Sequence, residues 1–188
     1  MELAELTVGM LGTKCYVLSA EGNTGCIVID PGAEPERILK AAGSRRIEAI
    51  LLTHGHFDHI GAIAPLMQEG TALIIHSLDA PMLQDSKLNA GMELTGMNIT
   101  APQATRLVRD GDILSYAGLD LRVVHTPGHT PGGVCYLCGN NAFTGDTLFH
   151  HGWGRTDLTG GSQSDLMASL RRLIVMTKEM IIWPGHED

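Results

Sequence analysis

Residues 25–76 alternate between short, continuously apolar runs and stretches of helical composition, and this alternation restricts the fold more than any other feature of the chain. A run at 25–30 ends on Asp30-Pro31-Gly32, residues 34–42 read as a helix stopped by Gly43, and a second apolar run at 47–52 ends at Thr53. A helix is predicted at 61–70, a strand at 72–76 and a third helix at 77–88. Upstream, residues 15–19 pair with 25–30 as a hairpin across the turn-prone Glu21-Gly22-Asn23.

Beyond a loop-like stretch at 91–104 the pattern turns to short β-like runs, at 105–109, 119–125, 133–137 and 141–144, with turns such as Asp110-Gly111-Asp112 between them. Residues 163–178 read as an amphipathic helix and 180–183 as a last short strand before Pro184. No internal repeat, low-complexity segment or linker interrupts the 188 residues. The expectation is one α/β domain over residues 1–188, with two mixed sheets packed together and helices outside.

Composition narrows the function classes. With 44% hydrophobic and 18% charged residues the chain is globular rather than disordered. A formal charge of -8, with Lys and Arg scattered, argues against a nucleic-acid partner, because phosphate binding needs clustered cations. No long apolar run or secretory leader is legible, so no membrane association is expected and the location is read as cytoplasmic. Cys15, Cys26, Cys135 and Cys138 would then be thiols. Cys135 and Cys138 form a CxxC, but on the strand-like Val134-Cys135-Tyr136-Leu137-Cys138 they point to opposite faces, so they are read as core residues rather than a metal pair.

The chemistry concentrates in Thr53-His54-Gly55-His56-Phe57-Asp58-His59, which follows an apolar strand and precedes a helix. Four potential ligands, His54, His56, Asp58 and His59, fall within six residues, and Gly55 permits the tight path that turns them toward one point. The same residue types recur after other apolar runs: His129 in His125-Thr126-Pro127-Gly128-His129, Asp146 in Thr144-Gly145-Asp146, and His186 in Trp183-Pro184-Gly185-His186. Seven candidates exceed what one tetrahedral ion accepts and suit two divalent metals, with the two oxygens of Asp146 as a bridge. Imidazole and carboxylate suit zinc first, with iron or manganese also accommodated. Asp30 is either a partner that fixes the tautomer of a ligand imidazole or a plain turn aspartate. His76 reads as a satisfied core or strand-end residue and His125 as a residue that supports a ligand or is structural, rather than as ligands, while His150 and His151 either line the pocket or face solvent.

With these motifs the chain resembles the metallo-β-lactamase superfamily, marked by HxHxDH followed by a later His, Asp and His, over residues 13–186. The resemblance implies a four-layer αβ/βα sandwich with the site at one edge between the sheets. It implies that His54, His56 and His129 hold a first metal, that Asp58, His59 and His186 hold a second, and that Asp146 and a hydroxide bridge them. His129-Thr130-Pro131-Gly132, Phe143-Thr144-Gly145-Asp146 and Gly154-Arg155-Thr156-Asp157 resemble the glyoxalase II branch and its short bacterial relatives. Those enzymes hydrolyse thioesters such as S-lactoylglutathione, so a small-molecule thioester is the implied partner, with Asp58 as the catalytic residue that orients the hydroxide. The C-terminal helical domain that binds glutathione in full-length glyoxalase II is expected to be absent, since the sequence ends two residues after His186. Arg155 then either meets an acidic substrate group or pairs with Asp157 to hold its loop. The alternative within the superfamily is a persulfide dioxygenase, which would place one iron on a set such as His54, His129 and Asp146. A lactonase and a non-catalytic metal-binding protein are lesser readings.

Overall fold

In the computed structural model, which describes residues 1–187, the apolar runs become the strands of two mixed sheets. The first sheet holds β1 (Glu2–Val8), β2 (Thr13–Ser19), β3 (Gly25–Ile29), β4 (Arg46–Leu51), β5 (Ala72–His76) and β6 (Arg106–Val108), adjacent in that order. Its β1, β2 and β3 pair antiparallel, whereas β3 to β6 run parallel. The second sheet holds β7 (Ile113–Tyr116), β8 (Leu119–His125), β9 (Val134–Cys138), β10 (Asn141–Gly145) and β11 (Ile181–Pro184), in the order β11-β10-β9-β8-β7.

Side-chain alternation along the strands builds the layers. Ile27, Ile29, Leu51 and Ile74 point inward and meet Leu121, Val123, Tyr136 and Phe143 of the second sheet. Cys26, Val28, Ile50 and Ile75 point outward and are covered by Ile38 of α1 (Pro35–Ala42) and by Ile60, Ile63 and Leu66 of α2 (Phe57–Ile60) and α3 (Ile63–Leu66). On the far side, Val124 and Cys135 bury against Leu173 of α5 (Gln163–Thr177). Helix, sheet, sheet and helix thus form four layers. β3 and most of β4 are buried on both faces, which is why they read as continuous apolar runs. Cys135 and Cys138 lie in different layers, as period-two alternation requires.

The helical expectations between residues 57 and 104 need correction. Of the helix read at 61–70 only the four-residue turn α3 forms, after the separate turn α2: Ala62 N–H donates to Pro31 O at 2.9 Å, and Pro65 has no N–H to continue a helix from Gly61. The helix read at 77–88 is a single 3-10 turn, Ala80–Leu83, because the preceding Asp79 is held by contacts to two other loops. The loop at 91–104 contains a short helix, α4 (Gly91–Thr95). Two strands, β1 and β7, were not anticipated, and both are outer strands of their sheets.

The sheets are tied together beside the C-terminal end of β4. Val134 N–H donates to Thr53 O at 2.8 Å, and the buried Tyr136 hydroxyl donates to Leu52 O at 2.7 Å. Tyr16 closes the same edge from the other side, its hydroxyl 2.6 Å from Pro184 O. These bonds fix the relative height of β2, β4, β9 and β11, and therefore of every loop that leaves that edge.

Candidate metal centre

All seven residues singled out by sequence leave strands at this one edge. β4 ends at Leu51 and its extension delivers His54 and His56, after which the first turn of α2 projects Asp58 and His59. The loop after β8 brings His129. Parallel pairing of β10 and β11 puts both their C-terminal ends at the same place, so Asp146 and His186 arrive together. Gly185 makes that approach possible: a Cβ there would sit 2.2 Å from Asp146 Oδ1 and 3.1 Å from His59 Cε1.

The donor atoms converge in three overlapping groups, His54, His56 and His129; His54, His59 and Asp146; and Asp58, His59 and His186. Within each group they lie within 4.8 Å of one another. His56 Nδ1 and His129 Nε2 are 2.9 Å apart, and His59 Nε2 and His186 Nε2 are 3.3 Å apart. Asp146 stands between, its Oδ1 3.5 Å from His59 Nε2 and its Oδ2 3.4 Å from His129 Nε2.

The outer partners decide where the imidazole protons sit. His129 Nδ1 lies 2.7 Å from Arg155 O and His186 Nδ1 lies 3.1 Å from Leu11 O. A carbonyl only accepts, so both Nδ1 atoms carry hydrogen and both Nε2 lone pairs face the cluster. His59 Nδ1 faces the Asp30 carboxylate at 3.1 Å, outside hydrogen-bond alignment, and that field likewise favours the proton on Nδ1. Asp30 is therefore more than a turn residue. It is buried, accepts from Thr53 N–H at 2.8 Å and Thr53 Oγ1 at 2.6 Å, and locks the start of the ligand loop to the end of β3.

Such an arrangement fits cations. Nε2 lone pairs of His59 and His186 face one another with Asp58 Oδ2 3.4 and 3.2 Å away, a set of acceptors that repel unless positive charge sits among them. The buried His54 Nε2 and Asp146 Oδ1 have no hydrogen-bond partner, which is costly for polar atoms unless something charged binds them. Burial pushes the His54 and His56 imidazoles far below the usual range, keeping them neutral as ligands must be. Burial also works against charge on His59, but Asp58, Asp146 and Asp30 outweigh it and raise its pKa to about 10, so Nε2 draws positive charge there and a proton and a metal ion compete for the same lone pair. Asp58 is itself held below the usual carboxylate range, because His59 and His186 outweigh its burial.

One positioning residue had no legible signal in the sequence. Asp79, fully buried after the end of β5, accepts from Gly55 N–H at 3.2 Å, Thr130 Oγ1 at 2.7 Å and Gly132 N–H at 2.6 Å. It thereby joins the loop carrying His54 and His56 to the loop carrying His129. Asp58 is oriented by Thr13, whose hydroxyl donates to Oδ2 at 2.8 Å.

The remaining histidines lie elsewhere. His76 and His125 stack face to face with ring centroids 4.2 Å apart, and burial followed by His125 lowers the His76 pKa to about 4. His150 and His151 are exposed beside Trp153, away from the cluster. Arg155 forms a two-pronged pair with Asp157, both bonds 2.7 Å, while its backbone carbonyl serves His129. The cluster opens into a cleft of about 370 Å³.

A sandwich of two mixed sheets with a histidine and aspartate cluster at one edge defines a class of metal-dependent proteins, and the chain belongs to it: the Metallo-beta-lactamase superfamily matches residues 8–186. The chain is similar to the probable metallo-hydrolase YqgX of Bacillus subtilis, 34% identical over 193 residues, covering 99% of this chain and 90% of that protein. It is also similar to the hydroxyacylglutathione hydrolase GloC of Haemophilus influenzae, 36% identical over 166 residues, covering 85% and 78%. Among solved structures, BLEG-1 B3 metallo-beta-lactamase superposes with a TM-score of 0.93 at 33% identity, covering 100% of this chain and 92% of that one. TTHA1623 in a di-iron-bound form superposes with a TM-score of 0.85 at 36% identity, covering 98% and 92%.

Proposed function

We propose that this protein is a metal-dependent thioester hydrolase that uses two divalent ions. His54, His56 and His129 would hold one ion, Asp58, His59 and His186 the other, and Asp146 would serve both. The observation that carries the reading is the pair of facing Nε2 atoms on His59 and His186, their protons directed away to Asp30 and Leu11 O, beside a second three-imidazole group. Zinc is the first choice for such donors, and the di-iron neighbour makes iron the second. When bound, the ions supply Lewis acidity that generates a nucleophile from water near neutral pH and stabilises negative charge on the carbonyl oxygen.

The chain's own residues do the rest. Asp58, held by Thr13, orients the attacking water through the carboxylate oxygen that faces the cluster. Asp79 and Asp30 keep the two ligand loops in register, so the reacting groups meet without reorganisation. A thiolate leaves readily, so no protein acid is required to protonate it. The hydroxyacylglutathione hydrolase relative supports thioester chemistry, and four free thiols support a cytoplasmic location.

The test is thiol release from S-lactoylglutathione and from simple acyl thioesters by zinc-loaded protein under anaerobic conditions, with chelator added and zinc restored. Turnover that is lost to chelator and regained with zinc is expected. Hydrolysis of a β-lactam without any thioester turnover, or turnover that needs oxygen, would overturn the reading.

A further inference from the structure

The walls of the cleft differ in character from its floor. Above the cluster they are formed by Leu11, Phe57, Ala90, Leu94, Phe149 and Leu158. A second cavity of about 180 Å³, lined by Met10, Ala33, Met97 and Ile99, adjoins the cleft and shares Leu11, Phe57 and Asp58 with it. Met10, Leu11, Leu94 and Met97 around the mouth are 83, 52, 47 and 50% exposed. A contiguous exposed apolar surface running into a reactive site marks where an apolar ligand is desolvated.

Charge points the same way. Among the described residues lining the two cavities, Arg155 is the one Lys or Arg, and its Nε and Nη2 both donate to Asp157. Nearby Lys14 is buried against Glu5 and Glu187. Glu187, at the rim, is the carboxylate that engages Lys14 there. The carboxylates of a glutathione thioester, held away from the cluster by the length of the peptide, find there no Lys or Arg free of a carboxylate partner.

Resting on the thioester-hydrolase reading, we propose that the preferred substrate is an uncharged thioester with an apolar acyl chain. The chain lies along Leu11 and Phe57 toward Met97 and Ile99, while the thioester carbonyl sits over the histidine and aspartate cluster. The unbranched side chains of Met10 and Met97 adjust to chains of different length. The reaction is hydrolysis: water adds its oxygen to the acyl carbon, the carbon–sulfur bond breaks with its electron pair going to sulfur, and the products are a carboxylate and a thiol.

The experiment compares acetyl, butyryl and hexanoyl thioesters of the neutral thiol N-acetylcysteamine, and S-lactoylglutathione, with metal-loaded protein. Each buried methylene is expected to raise kcat/KM about three- to fourfold, with hexanoyl well above S-lactoylglutathione. The matching thioethers, which cannot be hydrolysed, should bind with the same increments in calorimetry. Met97→Glu, at an exposed position, should lower the hexanoyl-to-acetyl ratio. A ratio flat with chain length, or S-lactoylglutathione as the best substrate, would overturn the acyl-chain inference while leaving the hydrolase intact. No turnover of any thioester would remove the hydrolase reading and this inference with it.

Discussion

The two halves of the cluster are built from the same residue types yet sit in opposite electrostatic surroundings. His54, His56 and His129 form a group of imidazoles, two of them kept neutral chiefly by burial. Asp58, His59 and His186 form a group in which carboxylates overcome burial and push both imidazoles toward higher pKa. In one half burial disfavours charge on the imidazoles, and in the other carboxylates draw positive charge in, with Asp146 close to both. The contrast teaches that the second half attracts a cation by charge, whereas the first depends on placement of its lone pairs.

Breaking the element common to both halves should have the largest effect. Asp146→Asn is expected to lower kcat/KM by at least about 10³-fold and to reduce bound metal, read by elemental analysis beside circular dichroism of the fold. Unchanged turnover with full metal content would remove Asp146 from the site. Asp58→Asn attacks the charged half alone, and a loss of about 10²-fold is expected with one metal retained per chain. Simultaneous loss of both metals would show that the halves are not separable in this way.

Asp79→Asn probes placement rather than charge. It keeps the shape but converts an acceptor of three hydrogen bonds into a group with donors facing donors, at a cost of about 1–3 kcal/mol in denaturant unfolding. It should also weaken metal binding about 10–100-fold, and more strongly in the imidazole half, whose two loops it joins. Equal weakening of both halves would contradict that assignment.

The smallest effect concerns His76, outside the cluster. Its pKa is lowered to about 4 from 6.5, so the fold favours the neutral ring. Stability from this residue is complete above the unfolded value and declines as pH falls from 6.5 toward 4. Allowing for water at the strand end, His76→Gln should narrow the loss of stability between pH 7.5 and pH 5 by about 1 kcal/mol. An identical pH dependence in the variant would show that His76 carries no penalty when protonated.

Legibility in the sequence followed burial. β3, β4 and β5 sit in the interior of their sheet and announce themselves as apolar runs, and each candidate ligand follows an apolar run. Glu2–Val8 and Ile113–Tyr116 are outer strands with half their residues facing water, so Glu2, Glu5 and Ser115 dilute the pattern. The helices misread between residues 61 and 88 owe their real shape to long-range contacts, Ala62 to Pro31 and Asp79 to Gly55 and Gly132, which no local window contains. All seven convergent side chains were legible because their types are rare in such density. Asp79 was not, since a lone aspartate after a strand looks like any turn.

The most direct test of the account is a crystal structure of zinc-loaded protein with anomalous data collected at the zinc edge. Two peaks are predicted, one among His54, His56 and His129 and one among Asp58, His59 and His186, with Asp146 reaching both. A single peak, with Asp58, His59 and His186 left uncoordinated, would contradict the two-metal site on which the proposed chemistry rests.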